Sequence, residues 1–178
     1  MPSFQELLNQ PPSINLVNRT ILIINDNEKY FDDVFLLSFS DNYKISMKAS
    51  WVIVHYCKKN NSFIQKHLDF ILEKLKTSNN SSVKRNMIKI FAEYSDFNNI
   101  KNLGLLVDIC FRFFNNPKDA IAVRAFCLDV LMKISSLEPD IITEIKQSIE
   151  FNFDNYSTGL KNKAKKVIQL INKKHTKH

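Results

Sequence analysis

Four basic residues stand at nearly even intervals along this chain: Lys48, Lys84, Arg124 and Lys161, separated by 36, 40 and 37 residues. Each directly follows an apolar residue, Met47, Val83, Val123 or Leu160. A recurring cation can track phosphates, or it can tie down carbonyls and carboxylates inside the molecule. The first chemistry needs unbalanced positive charge along the body. The net charge is +7, yet all 18 acidic residues lie at or before Asp154, and residues 1–156 sum to zero. The surplus is Lys161, Lys163, Lys165, Lys166, Lys173, Lys174 and Lys177. The ladder therefore reads as structural. The lysine-rich end reads as a solvated terminal helix, with Lys161, Lys163, Lys165, Lys166, Lys173 and Lys174 as a candidate basic patch for nucleic acid or anionic lipid.

Other residue types that could do chemistry lack the spacing for it. His55 and His67 are twelve residues apart on successive helical segments, and no H-E-x-x-H occurs. His67 shares a face with Ile64, Leu68 and Ile71, which predicts a satisfied core histidine. His175 and His178 fall in the tail. Cys57, Cys110 and Cys127 each sit in an apolar run, as reduced core thiols do, and no C-x-x-C pair exists. No cysteine has a local base, and no G-x-S-x-G is present. Asp32 and Asp33 are sequence neighbours and so point apart on a helix. Two glycines in 178 residues leave no phosphate-cradling loop and few tight hairpins. The expectation is a protein that is not an enzyme and holds no cofactor or metal. No apolar run reaches the length of a membrane span, and the N-terminus lacks signal-peptide features, which predicts a cytoplasmic location.

The elements that would position these residues are helical throughout. Apolar residues recur at three- and four-residue spacing, interrupted by Asn, Ser, Asp and Pro clusters. The spacing predicts helices over 13–24, 28–39, 43–59, 62–76, 81–95, 100–115, 119–136, 140–152 and 157–173, after a turn at 3–9. Ser81 or Ser82 is expected to cap its helix. Trp51, the only tryptophan, is expected in the core, as are Phe111, Phe113 and Phe114.

Aligning the starts at Met47, Val83, Val123 and Leu160 reveals a repeat. Four residues on stand Trp51, Met87, Cys127 and Ala164; seven on stand Val54, Ile90, Val130 and Val167. Positions i, i+4 and i+7 share one helix face. A second amphipathic segment separates successive starts, so the unit is a helical hairpin. This pattern resembles HEAT repeats, with Val123-Arg124-Ala125-Phe126-Cys127-Leu128 the closest match. Val17-Asn18-Arg19 opens a degenerate first unit. The Asp that often precedes the basic position appears only as Asp41 and Asp154. The chain is also similar to short bacterial HEAT-like proteins with an Ala-Ser-Trp helix start (Ala49-Ser50-Trp51) and a later His-Leu pair (His67-Leu68). Some of those carry an adenylosuccinate lyase label. The catalytic loop of that superfamily, glycine-containing and serine-bearing, has no counterpart here.

The resemblance implies an all-α fold: a right-handed α-α superhelix of about four hairpins plus a C-terminal capping helix. It would occupy residues 13–173, after an extension over 1–12 and before a flexible basic tail over 174–178. Second helices line the concave face of such stacks. With their inward positions removed, Lys66, Asp69, Phe70 and Glu73 remain on one helix and Leu105, Asp108, Ile109 and Arg112 on the next. Phe70, Leu105 and Ile109 are expected to be exposed apolar residues among mixed charges. The function expected is a non-catalytic protein- or peptide-binding scaffold acting through that face. Nucleic-acid binding through the lysine-rich helix is the alternative, and self-association through the exposed apolar strip is a third reading.

Overall fold

The computed structural model describes residues 3–175, with side chains to residue 173. The described residues form ten α-helices: α1 (Phe4–Leu8), α2 (Ile14–Ile24), α3 (Glu28–Leu37), α4 (Tyr43–Cys57), α5 (Leu68–Thr77), α6 (Ser81–Glu93), α7 (Leu103–Asn115), α8 (Ile121–Ile134), α9 (Ile141–Asn152) and α10 (Thr158–His175). Short 3-10 turns stand at Gln65–His67, Phe97–Asn99 and Phe153–Asn155. Lys174 and the histidines of the tail lie outside the described side chains.

Side-chain caps decide where most helices begin. Ser13, Asn27, Asn42 and Asn102 each accept a hydrogen bond from a first-turn amide, which satisfies donors that a helix end otherwise leaves open. The cap of α6 is Asn80, whose Oδ1 accepts from the amides of Ser82 and Val83; it is neither Ser81 nor Ser82. Two starts are three or more residues later than periodicity predicts. The first turn before α5 tightens into 3-10 geometry, and α7 waits for Asn102.

Packing groups the helices into two compact units, Met1–Lys101 and Asn102–His178. In the first, α4 lies between α2 and α6, while α3 packs on α4 and α1 packs on α2, α3 and α4. The core holds Phe31, Phe35, Ile53, Leu68, Ile71 and Phe91, all essentially without exposure. Burial of side chains this size contributes about 1.5–3 kcal/mol each. The segment preceding the first hairpin takes part, since Leu7 and Leu8 are buried. In the second unit α8 packs against α7, α9 and α10, around Phe114, Cys127, Leu131 and Leu160.

Hydrogen bonds link neighbouring hairpins of the first unit at close to one repeat length. The Asn86 amide donates to the Ser50 hydroxyl at 2.9 Å, 36 residues away, and Asn80 donates to Ser46 at 3.0 Å, 34 away. Asn25 and Asp26 turn the chain between α2 and α3 with φ of 38° and 57°, a left-handed conformation these two residue types tolerate. The Asp26 carboxylate accepts from the Tyr56 hydroxyl at 2.7 Å and from the Asn60 amide at 3.3 Å. The turn is thereby fixed to the end of α4.

Candidate interaction surface

Two of the recurring cations, Lys48 and Arg124, serve the fold. The Lys48 side chain is 4% exposed, and its ammonium donates to the carbonyl of Gln10 at 2.8 Å. Desolvation, followed by the nearby Lys44, holds its pKa below the ordinary lysine value. Arg124 is 7% exposed. Its Nε donates to the carbonyl of Phe114 at 2.8 Å, and its guanidinium lies 5.0 Å from the Tyr156 ring centroid and 5.9 Å from that of Phe114. Lys84 is half-buried on α6, and the Lys161 ammonium sits 5.9 Å over Phe153.

The aromatic and histidine residues are engaged in the same way. The Trp51 indole donates to His55 Nε2 at 2.9 Å, so the ring proton of neutral His55 is on Nδ1. Burial, then Lys89 and Lys58, keeps His55 below its usual pKa and hence neutral near pH 7. Trp51 is half-buried rather than fully enclosed. His67 is a satisfied, half-buried histidine: its Nε2 lies 2.8 Å from Asp32 Oδ1, and its ring stacks on Phe35 at 4.2 Å. All three cysteines are buried. Among the described residues, no group of three His, Cys, Asp or Glu side chains is placed to hold a metal ion.

A continuous surface emerges on the second helices of the first unit. At one end Lys66 bridges α5's leading turn to α3, with its ammonium 2.7 Å from Glu28 and 2.9 Å from Asp32. Burial alone would raise the Asp32 pKa, but hydrogen bonds from Lys66 and His67 outweigh it and hold the carboxyl below its usual value. Beyond this ion cluster lies an aromatic stretch. Phe39 meets Phe35 at 5.4 Å and Phe70 at 5.5 Å, both edge to face, and the Lys74 ammonium stands 5.3 Å over Phe70. Phe70 is 39% exposed and Leu36, on the Asp32 face of α3, is 57% exposed. Next to the rings opens a groove of about 380 Å³ lined by Phe39, Lys74 and the polar side chains of Ser40, Asp41, Asn79 and Asn80, among others.

Of the quartet expected on α5 and its leading turn, Phe70 lines this surface and Lys66 closes its charged end. Asp69 is partly withdrawn, accepting from the amide of Lys101 at 3.0 Å, and Glu73 pairs with Lys76. The quartet on α7 belongs to the other unit. There Ile109 is 2% exposed, so the expectation that it faces solvent is corrected. The physical reason is that α7 buries Leu106, Ile109, Cys110, Phe111, Phe113 and Phe114, an apolar arc too broad for periodicity to phase. Leu105 is half-buried, Asp108 is exposed, and Arg112 places its guanidinium 5.1 Å over Phe113. Missing from the expected set are Glu28, Asp32, Leu36 and Phe39 of the preceding hairpin. A repeat-length offset could have found two of them, since Glu28 and Asp32 precede Lys66 by 38 and 34 residues.

The basic patch is dispersed. On α10, Leu160, Ala164, Val167 and Ile171 form the buried stripe. Lys161, Lys163, Lys165, Lys166 and Lys173 spread over about 200° of the remaining surface at 3.6 residues per turn. Lys163 is engaged by Asp129.

A family model for the HEAT repeat domain matches residues 4–171. The chain belongs to the HEAT repeat family. No curated protein and no solved structure matches it. The HEAT match begins inside α1 and ends in α10, so it takes in both the segment before the first hairpin and the C-terminal helix. No helix among the described residues is long and apolar enough to cross a membrane.

Proposed function

We propose that this HEAT repeat protein is a non-catalytic scaffold that binds a protein or peptide segment along the second-helix surface of its first unit. The observation that carries this reading is the adjacency of half-exposed rings and a polar groove: Phe70 and Phe39 stand beside a channel rich in hydroxyl and amide groups. An apolar side chain of the ligand would pack on Phe70 and Leu36, while its backbone would hydrogen-bond along Ser40 and Asn79. Lys66, already neutralised by Glu28 and Asp32, stiffens one end instead of recruiting charge. HEAT hairpins commonly present such surfaces to partners.

The test compares intact protein with a Phe70→Ser, Leu36→Ser double variant in affinity capture from native lysate. Both side chains are exposed, so far-UV circular dichroism should be unchanged while the captured set is lost. Capture that survives the double change ends the proposal. Nucleic-acid binding through α10 is the weaker alternative, because its lysines share no single face. A salt-sensitive shift of DNA or RNA that disappears on neutralising Lys161, Lys165 and Lys166 would restore it.

A further inference from the structure

Helices α1, α2 and α3 enclose a groove of about 480 Å³ walled by Phe4, Leu7, Ile23, Tyr30 and Leu37, with the exposed Asp33 the only ionisable carboxylate on its lining. Phe4 and Tyr30 brace one wall edge to face at 5.7 Å. Residues 1–40 carry five carboxylates against two cations; Glu28 and Asp32 are taken up by Lys66, and Asp33 is the one on the groove's lining. At the other terminus the balance reverses, for residues 157–178 carry seven lysines and no acidic residue. Helix α10 is the longest among the described residues at 18 residues, and its outer face exposes Leu170 at 54%. The exposed Lys166 stands one turn before Leu170 on the same face.

We propose that the groove receives helix α10 of a second copy of this chain. Leu170 seats against Phe4, Ile23 and Leu37, and the Lys166 ammonium reaches the Asp33 carboxylate at the rim. The lysine stems extend the apolar contact while their charged ends stay wet. Groove and helix are different surfaces, so the contact is heterologous, and each added copy presents a fresh groove or a fresh helix. This surface is separate from the Phe39 and Phe70 surface, and the two proposals stand or fall independently.

Sedimentation over roughly 10–500 μM protein covers the range expected of a small, charged interface. The mean mass should rise with concentration and fall as salt is added. Leu170→Glu, Asp33→Lys and Lys166→Glu should each weaken association by on the order of tenfold or more. All three positions are exposed, so helicity should be retained. Mixing the D33K and K166E proteins should restore association, because each then offers the other a matched groove and helix. The proposal is overturned by a wild-type protein that stays monomeric across the range. It is equally overturned by L170E that associates normally, or by D33K and K166E proteins that are monomeric alone and remain so when mixed. Should L170E fail to fold, the charge-reversed pair still decides the matter.

Discussion

Arg124 offers the sharpest test of how these hairpins are held together. Its guanidinium ties the C-terminal carbonyl of α7 to α8 and lies over Tyr156, whose own hydroxyl donates to the carbonyl of Ser148 at 3.1 Å. Replacing it with alanine removes a hydrogen bond from a charged donor to a buried carbonyl, a loss of about 1.5–3 kcal/mol. Loss of the cation–π contact adds about 0.5–2 kcal/mol. Together the expected cost is about 2–5 kcal/mol, a large share of the roughly 5–15 kcal/mol that stabilises a typical domain. Arg124→Met retains the aliphatic stem and should cost less, about 2–3 kcal/mol, most of it from the orphaned Phe114 carbonyl. Arg124→Lys keeps the charge but not the planar stack, and should fall lowest in the series. The assay is urea denaturation followed by circular dichroism, extended to a double-mutant cycle of Arg124→Met with Tyr156→Leu. A coupling of about 0.5–2 kcal/mol is expected for groups in direct contact. A cost below about 1 kcal/mol for Arg124→Ala, or a series with lysine worst, would refute the assignment.

Four further outcomes concern side chains of the first unit. Asp32 has its pKa lowered in the folded state, so the stability it supplies is complete above its unfolded value of 3.8 and is lost as pH falls through the lower folded one; Asp32→Asn should flatten the acid side of a stability–pH curve and cost about 1–2 kcal/mol at pH 7. His55 is a base whose folded pKa is lowered from 6.5, so protonation disfavours the fold as pH drops below 6.5; the Trp51 emission should change with a midpoint under that value, and His55→Ala should abolish the transition. Burial pushes the Cys57 thiol up to about 12, so it should resist a thiol reagent at pH 8 and react only at the rate of local or global opening, measured by mass spectrometry with and without urea. Tyr56→Phe should lower stability by about 1 kcal/mol through loss of its bond to Asp26, read as a shift in melting temperature.

The helices and their repeat were legible because both depend on local spacing. Every predicted helical segment is present; boundaries shift by at most two residues except where a 3-10 turn or a cap intervenes, so that α5 begins at Leu68 and α7 waits for Asn102. On α5 a clean stripe of Leu68, Ile71, Leu72 and Leu75 fixes which side is buried, so Phe70 was placed correctly at the surface. On α7 the stripe widens to six buried residues and no longer has a single centre, which is why Ile109 was assigned to the wrong side. The structural role of Lys48 and Arg124 was legible too, from the charge balance of the body. Their partners were not, since the carbonyls of Gln10 and Phe114 carry no residue-type signal.

The sequence alone therefore determined the helical class, the hairpin period, the buried cysteines and the confinement of excess charge to residues 157–178. Those properties follow from residue order through three- and four-residue periodicity and from simple charge counting. Tertiary structure decided what the surface offers. The ring cluster of Phe35, Phe39, His67 and Phe70, the Lys66 bridge to Glu28 and Asp32, and the groove walled by Phe4, Ile23 and Leu37 join residues one hairpin or one helix apart. Such contacts depend on how helices stack and rotate, and rotation is fixed by packing many side chains at once, a quantity no single stretch of sequence encodes.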